Sequence, residues 1–261
     1  MASLKFVFDL DGTICFKGQP VSEEILTCLN NLENEGHEVI FASARPIRDM
    51  LPVLHSRFHQ HTLIGGNGSL ISQNGKLVYA KEFDQQTLTQ ILSFIKKYGA
   101  TYLIDSDWDY AYTGPIDHPI LLNVDADKLA NCVSVGELRS IVKILLLTAA
   151  DMEQLAEQLH TLPVVVHTHR NENVLDVSPQ HIDKWNALQT LGVKAGEYIA
   201  FGNDANDISM FKHALHTVMI GNHVDLAPHA KDSIVLDELC EKGIIDRLKE
   251  LAKEYRVVIS R

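Results

Sequence analysis

Four short stretches of the chain hold residue types suited to phosphoryl chemistry. The first is Asp9-Leu10-Asp11-Gly12-Thr13, directly after an apolar run that begins at Leu4. Two carboxylates two residues apart can face one centre. One can attack phosphorus as a nucleophile, and the other can serve a leaving alkoxide as acid and then water as base. Taken alone, the same residues also fit an Asp-Gly turn that ends a strand. The second stretch is Phe41-Ala42-Ser43-Ala44-Arg45. Its serine hydroxyl and the N–H groups after it can hold phosphoryl oxygens, or simply start the turn before Pro46. The third is Lys184, just inside a helix start after Ser178-Pro179. A lone lysine there is ordinarily solvated and mildly opposed by the helix dipole, but a bound anion would reverse that penalty. The fourth is Gly202-Asn203-Asp204-Ala205-Asn206-Asp207. Its side-chain oxygens suit a hard cation, and Asn and Asp also favour helix N-caps.

These stretches need a scaffold that brings them to one edge. Residues 4–9 and 39–42 are short, almost fully apolar runs of the buried parallel-strand kind. Between them, residues 21–35 carry apolar positions at helical spacing, with Ser22 as cap and Gly36 as stop. Pro46 opens a further helix with a kink expected at Pro52. Strand, helix, strand, helix indicates a parallel sheet covered on its faces. After Pro179 the rhythm returns: a helix over 182–191, a strand over 198–201, a helix over 206–214, short strands over 217–220 and 233–236, and a last helix over 244–255. In such sheets ligands bind at the carboxyl ends of the strands. Three of the four stretches directly follow a strand of this core, and Lys184 follows closely.

The middle of the chain reads differently. Asn74-Gly75 between residues 69–71 and 76–79 is a hairpin signal. A helix over 84–99, strands over 101–105, 109–113 and 142–148, a helix over 151–161 and strands over 164–168 and 173–177 then suggest a separate α+β unit. The expected fold is α/β: a Rossmann-like parallel-sheet core with helices on both faces (residues 1–79 and 179–261), interrupted by an inserted α+β cap (80–178). Trp108, Tyr110 and Tyr112 alternate and so should share one face of a cap strand. That face could stack on a sugar or ring, or pack within the cap.

In this arrangement the chain resembles the haloacid dehalogenase-like hydrolase superfamily, and in particular its Cof-type phosphatases. D-L-D-G-T matches the nucleophile motif, G-N-D-A-N-D the acidic fourth motif, and the insertion lies where Cof-type members carry a large α/β cap. Asn67-Gly68 looks like the stretch that leads into that cap. Ser-Ala-Arg stands where Thr-Gly-Arg is usual. The resemblance implies Asp9 as nucleophile and Mg²⁺ ligand, and Asp11 as acid/base that lends the metal its backbone carbonyl. It implies Ser43 and the Ala44 N–H as phosphoryl holders, Lys184 as charge balance and Asn206 as a phosphate contact. Asp207 would bind the metal, directly or through water, or orient Lys184. Asn203 falls at the usual aspartate ligand position, with Asp204 one residue later. The unchanged spacing to Asp207 favours Asn203 as the ligand, because a one-residue shift would send the side chain to the other face.

A net charge of −11 without a Lys/Arg stripe argues against nucleic acid and anionic membrane surfaces. With no apolar run of transmembrane length, and too short a leading run for a signal peptide, the expected setting is the cytoplasm. Four dispersed cysteines agree with reduced thiols. His55, His59 and His61, and the pair His167 and His169, lack the companions a metal site needs. The leading expectation is a Mg²⁺-dependent phosphatase for small phosphorylated metabolites, acting through an aspartyl-phosphate. The other readings weighed are a phosphosugar mutase or phosphotransferase and a sugar-phosphate sensor without catalysis. Intact Asp9 and Asp11 argue against the sensor.

Overall fold

The computed structural model describes residues 3–169 and 174–255. The chain opens with β1 (Lys5–Phe8), α1 (Glu23–Asn34), β2 (Glu38–Ala42), α2 (Ile47–Met50), β3 (Thr62–Gly65), β4 (Leu70–Gln73) and β5 (Lys76–Ala80). It continues through α3 (Gln85–Lys97), β6 (Thr101–Asp105), β7 (Tyr110–Thr113), β8 (Lys143–Thr148), α4 (Met152–Leu159), β9 (Val164–His169) and β10 (Val174–Pro179). It closes with α5 (Lys184–Thr190), β11 (Tyr198–Gly202), α6 (Ile208–Phe211), β12 (His216–Ile220), β13 (Asp232–Ile234) and α7 (Cys240–Glu254).

The first sheet has the order β13-β12-β11-β1-β2-β3-β4-β5. Its strands from β13 to β3 are parallel, while β4 and β5 join antiparallel at one edge. The expected parallel-sheet core thus carries an antiparallel hairpin at one edge. Asn74 and Gly75 both take positive φ, as a tight hairpin turn requires, and this turn folds β5 back onto the core sheet. A strand that the sequence reading passes over, β3, bridges β2 to that hairpin. The expected helix after Pro46 is one α turn followed by a 3₁₀ turn at Leu51–Val53, so Pro52 does break it.

Side chains of the central strands alternate between two cores. Phe6, Phe8 and Phe41 pack with Ile25 and Leu29 of α1 and Ile244 and Leu248 of α7. Val7, Ile40 and Ala42 pack on the other face with Trp185 and Leu188 of α5 and Met210 and Phe211. Burial on both faces explains why these strands read as unbroken apolar runs.

The second sheet, β7-β6-β8-β10-β9, is antiparallel throughout. Ile91 and Ile95 of α3 and Leu155 and Leu159 of α4 cover one face, over Ile104, Ile144, Leu146 and Leu175. Asp84 caps α3 by accepting from Thr87 N–H at 2.9 Å. The strand expected to start at Asn173 begins outside the described residues, as does the side chain of His169.

A buried ionic knot joins the two sheets. Arg48 of α2 donates to both Asp49 oxygens at 2.8 Å and to Asp105 of β6 at 3.0 Å. It also donates to the Trp108 carbonyl at 2.7 Å and lies 4.8 Å over the Tyr110 ring. Asp49 accepts in turn from Asp125 N–H at 2.8 Å. Trp108 lies in a bend before β7 rather than in the strand, and its Nε1 donates to Leu129 carbonyl. The Tyr112 hydroxyl donates to Pro115 carbonyl at 2.6 Å. Each of the three aromatics thus has its own contact, and Trp108, which stands outside the strand, stays 38% exposed. No helix among the described residues is long and apolar enough to cross a membrane.

Candidate active site

β1 lies between β11 and β2, in register Phe8 with Phe201 and Phe8 with Phe41. From this point the chain winds outward in both directions, to β2 and β3 on one side and β12 and β13 on the other. Such a switch point leaves a crevice at the carboxyl ends of the strands. Asp9 follows β1 there, with Asn203 to Asp207 after β11 and Ser43 after β2.

Asp9 is buried. Its Oδ1 lies 2.6 Å from Lys184 Nζ, and its Oδ2 accepts from Thr13 Oγ1 at 2.9 Å. The same Nζ lies 2.6 Å from Asp207 Oδ1. Asp207 Oδ2 accepts from the N–H groups of Asn203 (2.8 Å) and Asp204 (3.1 Å), which pins the loop after β11. Lys184 is wholly buried at the first turn of α5, whose cap is Asp183. It is therefore no solvated surface lysine. Burial works to lower its pKa, but Asp207 and Asp9 outweigh burial and hold it above the ordinary value. Burial raises the Asp9 carboxyl to about 7, Lys184 opposes that rise and Asp207 adds to it.

One end of the Asn203 amide stands 3.1 Å from Asp9 Oδ2, 3.1 Å from the Asp11 carbonyl oxygen and 3.2 Å from Thr13 Oγ1. If the amide nitrogen occupies that point, it donates to them. If the amide oxygen does, oxygens crowd one spot, and that crowding suits a hard cation. The donor set of carboxylate, main-chain carbonyl and amide fits Mg²⁺ chemically. Gly12 makes the approach possible: it takes φ +79°, and a Cβ there would lie 2.2 Å from the other end of the Asn203 amide. Asp204 turns outward, with Oδ1 3.1 Å from His223 Nε2 and accepting from Ala205 N–H.

Asp11 forms a two-pronged ion pair with Arg45. Ser43 is buried, and its Oγ accepts from Arg45 N–H at 3.1 Å. Ala44 is next to it in the same turn. Asn206 donates from Nδ2 to Asn67 Oδ1 at 3.1 Å.

The structure thus joins Asp9, Lys184, Asn203 and Asp207 directly and sets Ser43, Ala44 and Asn206 on loops at the same sheet edge. Sequence reasoning missed Thr13, although it stands in the first motif, and Arg45, although it ends the second. It missed Asn67 as a partner of Asn206.

His59 and His61 stand apart from the site. His59 Nε2 lies within 3.0 Å of the Leu51 and Leu54 carbonyls, and His61 Nε2 lies 2.6 Å from Glu33. Among the described residues no three His, Cys, Asp or Glu side chains gather into a metal site of their own.

The sequence model of a haloacid dehalogenase-like hydrolase family matches residues 6–248. MG265 of Mycoplasma genitalium, which carries a provisional phosphatase name, is 26% identical over 85% of this chain and 88% of its own. The HMP-PP phosphatase of Cronobacter sakazakii is 26% identical, over 82% of this chain and 83% of its own. The solved HAD subclass IIB sugar phosphatase BT4131 shares the fold at a TM-score of 0.77 and 19% identity, covering 96% of this chain and 99% of its own. With a family match over nearly its whole length and the Cof-type arrangement of core and second sheet, the chain belongs to the haloacid dehalogenase-like hydrolases.

Proposed function

We propose that the chain is a Mg²⁺-dependent phosphatase for small phosphate monoesters such as sugar phosphates, with Asp9 as nucleophile. The observation that carries this is the buried Asp9–Lys184–Asp207 trio, with Lys184 Nζ 2.6 Å from a carboxylate oxygen of each partner.

Two carboxylates and one ammonium leave the trio with a formal charge of minus one, so an incoming phosphate dianion meets repulsion. Like charges about 4 Å apart repel by roughly 1 kcal/mol in water and several times more in a drier site. Asp9, the Asp11 carbonyl, Asn203 and Asp207 would hold Mg²⁺, which supplies positive charge against the developing negative charge of phosphoryl transfer. Ser43, the Ala44 N–H and Asn206 hold phosphoryl oxygens, and Lys184 keeps Asp9 oriented. An Asp9 oxygen forms a bond to phosphorus as the bond from phosphorus to the ester oxygen breaks, and Asp11 gives that oxygen its proton. Asp11, now ionised, takes a proton from water, the water oxygen bonds to phosphorus, and Asp9 leaves with phosphate released.

Residues 80–178 act as the cap that chooses the leaving group, over a core of residues 1–79 and 179–261. The names of relatives, an HMP-PP phosphatase and a ribitylaminouracil phosphatase of Bacillus subtilis, support small phosphorylated metabolites as substrates. Four free cysteines support the cytoplasm as its setting. Phosphate release from a panel of sugar phosphates, nucleotides and pyridoxal phosphate, with and without EDTA, tests the reading. Release that needs Mg²⁺ is expected; release unaffected by EDTA contradicts it.

A further inference from the structure

Lys143 opens β8 of the second sheet, and Asp176 lies in neighbouring β10. Both side chains are buried, at 6% and 2% exposure, with Lys143 Nζ 3.0 Å from Asp176 Oδ2. Removing an ion pair from water costs several kcal/mol per ion unless good geometry repays it. Here part of the geometry lies in the other sheet. Lys143 Nζ donates to the Ala44 carbonyl at 2.8 Å. That carbonyl and the Arg45 N–H belong to one planar peptide, and the N–H donates to Ser43 Oγ. A grip on the oxygen therefore sets the direction of the N–H and the shape of the turn that carries Ser43 and Ala44.

Asp176 continues the chain of contacts. Its Oδ2 accepts from Asn67 Nδ2 at 3.4 Å. Asn67 is buried and left-handed at φ 58°; its N–H donates to Ser43 carbonyl at 3.0 Å, and its Oδ1 accepts from Asn206. A continuous path thus runs from Ala44 through Lys143, Asp176 and Asn67 to Asn206. Its two ends are proposed phosphate contacts, on the loops after β2 and β11.

We propose that Lys143 and Asp176 are positioning residues, through which the second sheet holds the phosphate cradle of the first sheet in shape. The inference rests on the phosphatase reading for the meaning of that cradle. It gives the cap a task besides choosing the leaving group: when docked, it sets the spacing between the two phosphate-holding loops, for every ester alike.

The test uses the full chain with Mg²⁺, below the unfolding midpoint of each variant. Lys143→Met cuts the path at the first loop. Asn67→Gly cuts it at the second, keeps the ion pair and suits the left-handed backbone. Calorimetry gives the affinity for inorganic phosphate, and kcat/KM is measured on p-nitrophenyl phosphate and on an alkyl phosphate. Each substitution should weaken phosphate binding about ten- to hundredfold, the range of a charge-assisted hydrogen bond. Lys143→Met should lower kcat/KM by a similar factor on both esters. The double variant should lose little more than the worse single one, because both break one path. Unchanged phosphate affinity, with losses confined to one ester class, would assign Lys143 to the leaving group and overturn the proposal. Fully additive losses would overturn the path. Turnover by the unaltered chain tests the phosphatase reading separately, and the phosphate affinities decide the positioning role whether or not esters are cleaved.

Discussion

Arg45 holds Asp11 as a fork holds a bar: Nε lies 2.7 Å from Oδ2, and Nη2 lies 2.7 Å from Oδ1. Asp11 remains 46% exposed, so the clamp fixes its direction without sealing it from a substrate. A lysine could not reproduce the two parallel bonds.

Asp11→Asn should therefore slow alkyl phosphates by about a hundredfold or more and aryl phosphates much less, because an aryloxide needs little protonation. Arg45→Lys should act in the same direction at about a tenth of the strength. Rates on paired alkyl and aryl esters decide this. Equal losses on both would make the Asp11–Arg45 pair a structural contact.

The inward turn of Asn203 and the outward turn of Asp204 separate their roles. Asn203→Asp adds a charged oxygen ligand, so activity should persist at a lower Mg²⁺ requirement. Asn203→Ala should raise the half-saturating Mg²⁺ concentration by at least about tenfold, the factor that one lost charge-assisted contact carries. Asp204→Asn should change little, since asparagine still caps the turn. A Mg²⁺ titration of each variant checks this. Loss of Mg²⁺ dependence in Asp204→Asn would move the metal to that residue.

Arg48 faces two buried carboxylates, its neighbour Asp49 on α2 and Asp105 of β6 in the second sheet. Arg48→Met leaves both without their guanidinium, and breaking a buried pair costs about 3–5 kcal/mol. Denaturant unfolding should show a loss of that order. A change below about 1 kcal/mol would mean that the knot contributes little to joining the sheets.

The thiols differ in reach. Burial, with the charge of Asp11 next in weight, pushes Cys15 up to about 12, and burial also raises Cys28 and Cys240. Cys132 is exposed. Iodoacetamide at pH 8 should modify Cys132 in the native protein and the other three only after denaturation. Rapid native labelling of Cys15, read by peptide mass, would show that the Asp11 loop opens.

Much of this site was legible before the fold. The strands under Asp9, Ser43 and Asn203 are apolar on both faces and end abruptly in polar residues, a pattern visible without coordinates. Asn74-Gly75 marks a hairpin by turn chemistry, but turn chemistry does not say which sheet the hairpin joins, and β4 and β5 extend the core. β3 gives only a weak signal in the sequence, because Thr62-Leu63-Ile64-Gly65 is short and runs into further glycine. Lys143, Asp176 and Arg48 gave no local signal. Their partners lie far along the chain, so their burial in polar contact depends on how the two sheets meet. Lys184 alone looked like a surface lysine, and only Asp9 and Asp207 explain its burial.

The most direct test of the account is the rate of phosphate release by Asp9→Asn, at saturating Mg²⁺, on the best substrate of the intact chain. The substitution keeps the volume and the contact with Thr13 but removes the attacking anion. The account predicts a fall to the uncatalysed background with the fold retained by circular dichroism. Turnover within about tenfold of the intact chain would contradict it, because attack by Asp9 would then not lie on the path of the reaction.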